Sequence, residues 1–304
     1  MITLNLIDQE KSQIKYKISK FPDGQQTVDL TSWSILMNND DAVKLSTRLN
    51  SFGDVELLIC AVQAIRNIVP NKEIALYVPY FLGARSDRKF VDGGVNYLKQ
   101  VICPIINSLN LSTVLTLDPH SDVLEACLNN YDKVDNHLLV KYALTAIDNK
   151  NDAQSRICLV SPDAGAYKKI FDVAKKFGIN NIITANKVRD MRTGNILRTE
   201  IPVLNQHDDI KYVIVDDICD GGRTFVELAK AIKEGRPTAK IYLVVTHGIF
   251  SSGFHDLNEL FDGIFCTNSY EDIESKVSGD KASTTNSKGS SITKPNLVTQ
   301  FNVF

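Results

Sequence analysis

Short apolar runs alternate along this chain with stretches in which apolar residues recur every three to four positions. The first kind suits strands buried on both faces and the second suits amphipathic helices. The alternation therefore predicts strands joined by crossover helices, that is, parallel sheets and an α/β fold. In the first half the clearest strand-like runs are EIALYVPYF, from Glu73, and STVLTLDPH, from Ser112, with helical stretches over 55–68 and 95–109. In the second half ICLVSPDAG, NIITAN, YVIVDDICDGG and KIYLVVTHG each pass from a β-rich run into small, polar or charged residues. In open α/β sheets ligands gather beyond the carboxyl ends of the strands, where loops converge and helix N-termini present free N–H groups. Residues 149–153 are polar and poorly periodic, and they predict a boundary between two halves of similar rhythm, 1–149 and 150–304. Residues 276–296, rich in Ser, Thr, Lys and Gly, read as a loop or linker, and the closing LVTQFNVF is expected to return as a strand.

Composition narrows the partners. A length of 304 residues allows two domains, each with its own apolar core, and 43% hydrophobic with 23% charged residues excludes disordered and fibrous classes. A formal charge of −2 leaves no basic field for nucleic acid, so any anion site has to be local. The six cysteines include no C-x-x-C pair and mostly sit inside apolar runs, which fits a reducing compartment. The N-terminal stretch lacks the charged-then-apolar order of a signal peptide, and no run approaches the roughly 20 apolar residues of a membrane span. A cytoplasmic protein with no membrane partner is expected.

The strongest chemical signal is YVIVDDICDGGRTFVELAKAIKE: a β-branched strand, the adjacent acids Asp216 and Asp217, then Asp220, Gly221, Gly222, Arg223 and Thr224 opening an amphipathic helix. Glycines let a backbone approach phosphate, Thr224 adds a hydroxyl, and the helix N-terminus adds a favourable dipole. The two acids at the strand end suit sugar hydroxyls. A plain capped strand-turn-helix would use the same Asp and Gly residues, but paired acids at a buried strand end are unfavourable without a ligand.

VIVDDICDGGRT resembles the phosphoribosyl-pyrophosphate loop shared by phosphoribosyltransferases and phosphoribosyl-pyrophosphate synthetases, usually D-D-x-x-D-T-G/A-G-T. VPYFLGARSDRKF is similar to a synthetase stretch that contributes to the ATP site and is not a transferase feature; Arg85, Ser86 and Asp87 are its candidates here, followed by Arg88 and Lys89. A guanidinium can stack on a purine and contact phosphate at once, which suits Arg85. LDPHSD and SPDAGAYKKI resemble the synthetase segments whose His and Asp hold the metal accompanying ATP, matching His120 and Asp163. Mg²⁺ is the ion implied, since it takes oxygen ligands, substrate phosphates and water. Asp163 taken alone also suits an N-cap. KVRDMRTGNILRTE resembles the synthetases' mobile catalytic loop, with Lys187 and Arg189 as the cations for the charge spread over oxygens in diphosphoryl transfer and Gly194 at the centre of a lid. A basic surface hairpin is the ordinary reading of that run. KFPDGQQ is similar to a segment reaching the adenine site of a neighbouring subunit, through Phe21, Asp23 and Gln25, although PDG by itself is a turn.

The similarity runs from about Phe21 to Tyr270, in one order. It implies two similar domains of the type I phosphoribosyltransferase-like fold, each a mainly parallel sheet flanked by helices, 1–149 on the ATP side and 150–304 binding ribose 5-phosphate. It also implies a ribose-phosphate diphosphokinase. Such an enzyme moves the β,γ-diphosphate of ATP to the C1 hydroxyl of ribose 5-phosphate, giving phosphoribosyl pyrophosphate and AMP for nucleotide or NAD synthesis, and works as a homodimer or larger homo-oligomer. Three residues depart from the family pattern: Gln25 stands for an acid, Ser86 for Gln and Arg223 for Gly. If the position of Arg223 needs a positive φ, Arg carries a steric penalty; if its side chain points inward, it adds a cation for the 5-phosphate. The alternatives are a phosphoribosyltransferase, which leaves the first half unexplained, and a catalytically silent synthetase-like regulatory subunit.

Overall fold

Both halves of the chain build a parallel sheet, and each sheet brings its loops of interest to the carboxyl ends of its strands. The computed structural model describes residues 1–148, 156–189, 196–202, 209–273 and 297–304. The chain divides into two compact units, Met1–Asp135 with Val303–Phe304, and Asn136–Asn302.

The first unit runs through β1 (Ile2–Asn5), β2 (Lys15–Lys20), β3 (Gln26–Ser32), the single turn α1 (Ser34–Met37), β4 (Val43–Ser46), α2 (Phe52–Ile68) and β5 (Ile74–Tyr77). A π-helical turn (Leu98–Ile102) then leads into α3 (Cys103–Ser108), β6 (Thr113–Leu117), α4 (Val123–Cys127) and β7 (Tyr131–Val134). Its sheet has the order β1-β4-β5-β6-β7 and is parallel throughout. The pair β2–β3 forms a separate antiparallel hairpin. Helix α2 starts at a capping box, Ser51 Oγ accepting the Asp54 N–H while Asp54 accepts the Ser51 N–H, and buries Val55, Leu58, Ala61, Val62 and Ile65. The π turn has a local cause. Pro104 lacks an N–H and its ring crowds the carbonyl four residues back, and just before it the Cys103 N–H reaches five residues back, to Leu98 O.

The second unit comprises α5 (His137–Ile147), β8 (Ile157–Ser161), α6 (Tyr167–Phe177), β9 (Asn181–Thr184), β10 (Asn186–Arg189), β11 (Ile196–Glu200), β12 (Lys211–Cys219) and α7 (Arg223–Gly235). It ends in β13 (Lys240–Gly248), α8 (His255–Leu260), β14 (Gly263–Thr267) and β15 (Val298–Phe301). Six strands pair in parallel in the order β9-β8-β12-β13-β14-β15, and β10–β11 is a separate antiparallel ribbon. Alternate residues of β12 enter two different cores, Tyr212 and Ile214 on the α7 side and Val213 and Val215 on the α5–α6 side. Burial on both faces is why this strand reads as an unbroken apolar run.

The parallel α/β architecture and the returning C-terminal strand are as the sequence predicts. The division of the chain is not at 149–153. It falls at Asp135, because Leu139, Val140, Ala143, Leu144 and Ile147 of α5 are buried with β8 and α6 in the second unit. Polarity marks the end of that helix rather than the end of a unit. Residues 149–155 and the polar stretch 276–296 lie outside the described residues. Among the described residues no helix is long and apolar enough to cross a membrane, and all six cysteines are free thiols.

Candidate active site

In the second sheet the chain passes from β8 outward to β9 and later returns on the other side of β8 as β12, so the strand order reverses between β8 and β12. Loops leaving two neighbouring strands in opposite directions open a crevice at their carboxyl ends, the usual place for a ligand in this architecture. The sequence puts SPDAG after one of these strands and DGGRT after the other.

The turn after β12 is built to present backbone donors. Gly222 caps α7 at φ +79° with no side-chain cap, and the helix's first intrahelical bonds are those of Phe225 and Val226 N–H to Gly222 O, 3.0 Å each. Among the described residues no acceptor meets the N–H groups of Gly221, Gly222, Arg223 and Thr224. Four adjacent open donors at a helix N-terminus form an anion-binding concavity. The left-handed position is Gly222, and Arg223 has a negative φ, so the steric penalty considered for Arg223 does not arise. Arg223 is instead the first helical residue, with its side chain exposed.

At the strand end, Asp217 is buried and Asp216 partly exposed. Burial, then the neighbouring charge of Asp217 and a hydrogen bond with it, push the Asp216 carboxyl well above the usual carboxylate range; the Asp217 N–H, which donates to Asp216 Oδ1 at 2.9 Å, and Lys169 offset this in part. An acid pair that holds a proton offers both a donor and an acceptor to adjacent hydroxyls. Lys169 of α6 places Nζ 3.8 Å from Asp217 Oδ1, tying the loop after β8 to the acid pair. In that loop Asp163 Oδ1 accepts the Ala166 N–H (3.1 Å), and Ser161 Oγ donates to Asp163 O (2.7 Å). Asp163 thus fills the turn-capping role that its position also suggests. Lys187 and Arg189 lie on β10, where Lys187 pairs with Thr199 and Arg189 with Ile196 across a bulge. Gly194, proposed for the centre of a lid, lies outside the described residues.

In the first unit β5 and β6 are parallel neighbours, so the segments after them leave the same rim of the sheet. Arg85, Ser86 and Asp87 follow β5 in an irregular stretch pinned to the π-helical turn: Leu98 N–H donates to Ser86 O (3.2 Å) and Asn96 Nδ2 to Asp87 O (2.7 Å). Gly83, at φ +78°, is required there, because a Cβ would fall 2.8 Å from the Tyr97 ring. Arg85 is exposed, and Arg88 lies 5.7 Å over the Phe90 ring. His120 follows β6 and is exposed; next to it Ser121 Oγ is buried without a hydrogen-bond partner. Phe21, Asp23 and Gln25 form the exposed tip of the β2–β3 hairpin, closed by Phe21 N–H to Gln25 O (2.8 Å) and turning at Gly24, φ +97°. Gln26 anchors this end of the hairpin to α2 through Gly53 O (3.0 Å) and Glu56 Oε1 (3.2 Å).

The model of the phosphoribosyl transferase domain matches residues 130–258, which include both loops of the crevice. Ribose-phosphate pyrophosphokinase of Marinomonas sp. is 27% identical over 77% of this chain and 71% of its own length. That of Vibrio parahaemolyticus is 27% identical over 83% of this chain and 77% of its own. Over most of its length the chain is similar in sequence to ribose-phosphate pyrophosphokinases. In fold it matches the crystal structure of phosphoribosylpyrophosphate synthetase from Mycobacterium smegmatis, with a TM-score of 0.74 at 16% identity over 97% of this chain and 88% of that one. Both parallel sheets therefore have a counterpart in that structure.

Among the described residues no three His, Cys, Asp or Glu side chains converge, so these residues alone offer no closed metal cage. The carboxylate of Asp163, in the loop after β8, is of the kind that suits Mg²⁺, which dehydrates reluctantly and is held by one or two protein ligands together with phosphates and water. The orphaned Ser121 hydroxyl marks the His120 segment as a place completed by something other than the described residues. Reading the sequence missed Lys169, one of several helix lysines with nothing local to distinguish it, and Ser251, whose segment VTHGIFSSG carried only a general likeness to the family.

Proposed function

We propose that this chain is a ribose-phosphate diphosphokinase, which moves the β,γ-diphosphate of ATP to the C1 hydroxyl of ribose 5-phosphate and releases AMP. The observation that carries the proposal is the turn after β12: an acid pair at the strand end beside four open backbone donors. A sugar phosphate presents the complementary groups, hydroxyls for the carboxyl groups of Asp216 and Asp217 and a dianion for the backbone N–H groups of Gly221, Gly222, Arg223 and Thr224, in the turn that Asp220 opens. The exposed Arg223 adds a cation for that dianion.

The nucleotide is assigned to the first unit. Arg85, Ser86, Asp87 and His120 share the rim after β5 and β6, and Phe21, Asp23 and Gln25 would reach the adenine of a neighbouring subunit, which requires at least a homodimer. His120 and Asp163 would hold Mg²⁺, which when bound neutralises phosphate charge. Lys187 and Arg189 supply fixed positive charge for the oxygens that gain charge as the sugar hydroxyl attacks the β-phosphorus. Asp216 and Asp217 orient the sugar so that its C1 hydroxyl is the attacking group.

Purified protein mixed with ATP, Mg²⁺ and ribose 5-phosphate should release AMP only when the sugar is present, with phosphoribosyl pyrophosphate appearing in equal amount by ³¹P NMR. Folded protein that releases no AMP overturns the proposal. In that case a nucleobase and phosphoribosyl pyrophosphate, supplied together, test the transferase alternative.

A further inference from the structure

The loop after β13 buttresses the turn after β12. Ile249 and Phe250 N–H both donate to Cys219 O (2.8 and 3.1 Å), and Ser251 N–H donates to Asp220 O (3.2 Å). Ser251 Oγ donates to Asp220 Oδ1 at 2.7 Å. The buttress is held in one shape. Phe250 is buried and adopts φ +46°, a conformation a bulky residue keeps only when its surroundings impose it, and its ring packs 4.6 Å from that of Phe254. Gly248 leaves room for that ring, since a Cβ there would lie 2.2 Å from Phe250 Cε2.

Asp220 stands two residues before Gly222 and three before Arg223, the spacing at which an Asp side chain ordinarily accepts the N–H groups of its own turn. None of the four open N–H groups from Gly221 to Thr224 is bonded to it. We propose that Ser251 is a positioning residue: by holding Asp220 Oδ1 it keeps that carboxylate off the donors of its own turn and leaves them open for the phosphate of the substrate. Without the Ser251 hydroxyl that oxygen can turn toward Gly222 and Arg223 N–H and compete with the incoming anion. This inference rests on the function proposed above.

The test is a double-mutant cycle on the full-length chain. Ser251→Ala should raise the KM for ribose 5-phosphate about fivefold, as expected for one lost hydrogen bond to a charged group near solvent, with kcat and the KM for ATP within about twofold of wild type. Ser251→Thr should restore the wild-type value. In an Asp220→Ala background Ser251→Ala should add nothing, because its effect passes through Asp220. An unchanged KM in Ser251→Ala, or a full effect that persists without Asp220, overturns the inference. Titrating the same proteins with inorganic phosphate by ³¹P NMR separates it from the reaction. A chain that makes no AMP yet binds phosphate more weakly as Ser251→Ala refutes the activity and keeps the positioning role, whereas a wild-type chain that binds no phosphate refutes both. If Ser251→Ala fails to fold by circular dichroism, Ser251→Cys, similar in size but a weak donor, replaces it.

Discussion

A carboxyl group whose pKa is raised on folding weakens the fold as pH rises, and Asp216 is such a group. Between its unfolded value, near 4, and its higher folded value, the native state holds more protons than the unfolded one, so the penalty is absent at low pH and grows with increasing pH. Asp216→Asn should therefore melt about 2–4 °C above wild type at pH 8, an effect on the order of 1 kcal/mol, and together with wild type at pH 4. A gap that does not depend on pH would count against this account of the acid pair. Gly222 and Gly221 should respond differently to a methyl group. Alanine at Gly222 has to adopt φ +79°, a strain of about 1 kcal/mol, and should lower the Tm by about 2–4 °C. At Gly221 the nearest atom is the Ser252 hydroxyl, 3.0 Å away and able to turn aside, so Gly221→Ala should leave the Tm nearly unchanged. Equal Tm losses in the two variants would mean that backbone handedness is not what Gly222 provides.

At the scale of elements, the second unit is tied together at the end of α5. The buried Asp148 takes two bonds from Arg156, Nε at 2.9 Å and Nη2 at 3.0 Å, and one from Lys211 Nζ at 2.9 Å. These contacts join the helix end to the starts of β8 and β12, the two strands whose far ends carry the crevice. Truncating the shared partner removes the buried carboxylate from both cations, so Asp148→Ala should cost about 3 kcal/mol, read as a lower urea midpoint. A loss below about 1 kcal/mol would show that solvent satisfies both cations. The Lys187 and Arg189 segment shows how an element can be legible while its use is not. The sequence suggests either a basic hairpin or a catalytic loop, and the antiparallel pairing of β10 with β11 is compatible with both.

At the scale of the whole molecule, the proposed reaction draws on both units, the first for nucleotide and the second for sugar phosphate. Mg²⁺ keeps several of its waters and takes few protein ligands, so an ion bound for the proposed reaction would exchange readily with solvent. Chelation with EDTA should abolish AMP release, and Mg²⁺ added in excess should restore it without refolding, the far-ultraviolet circular dichroism staying constant throughout. A loss of folded signal on chelation would assign the metal a structural role instead.

The sequence by itself determined the parallel α/β class, the strand at the C-terminus, and the segments that carry acids, glycines and cations. Each of these is written in local periodicity or in a contiguous motif such as DDICDGGRT. The short strands β1, β4 and β7 left no such signature, since strands of four residues are too brief to show a period. Only the tertiary structure decided that α5 belongs with the second unit, that the left-handed position is Gly222 and not its neighbour, and that Lys169 and Ser251 face Asp217 and Asp220. Those contacts join residues 31 to 48 positions apart in the chain, and a pairing across that distance is set by strand order and loop geometry, which no local pattern of side chains encodes.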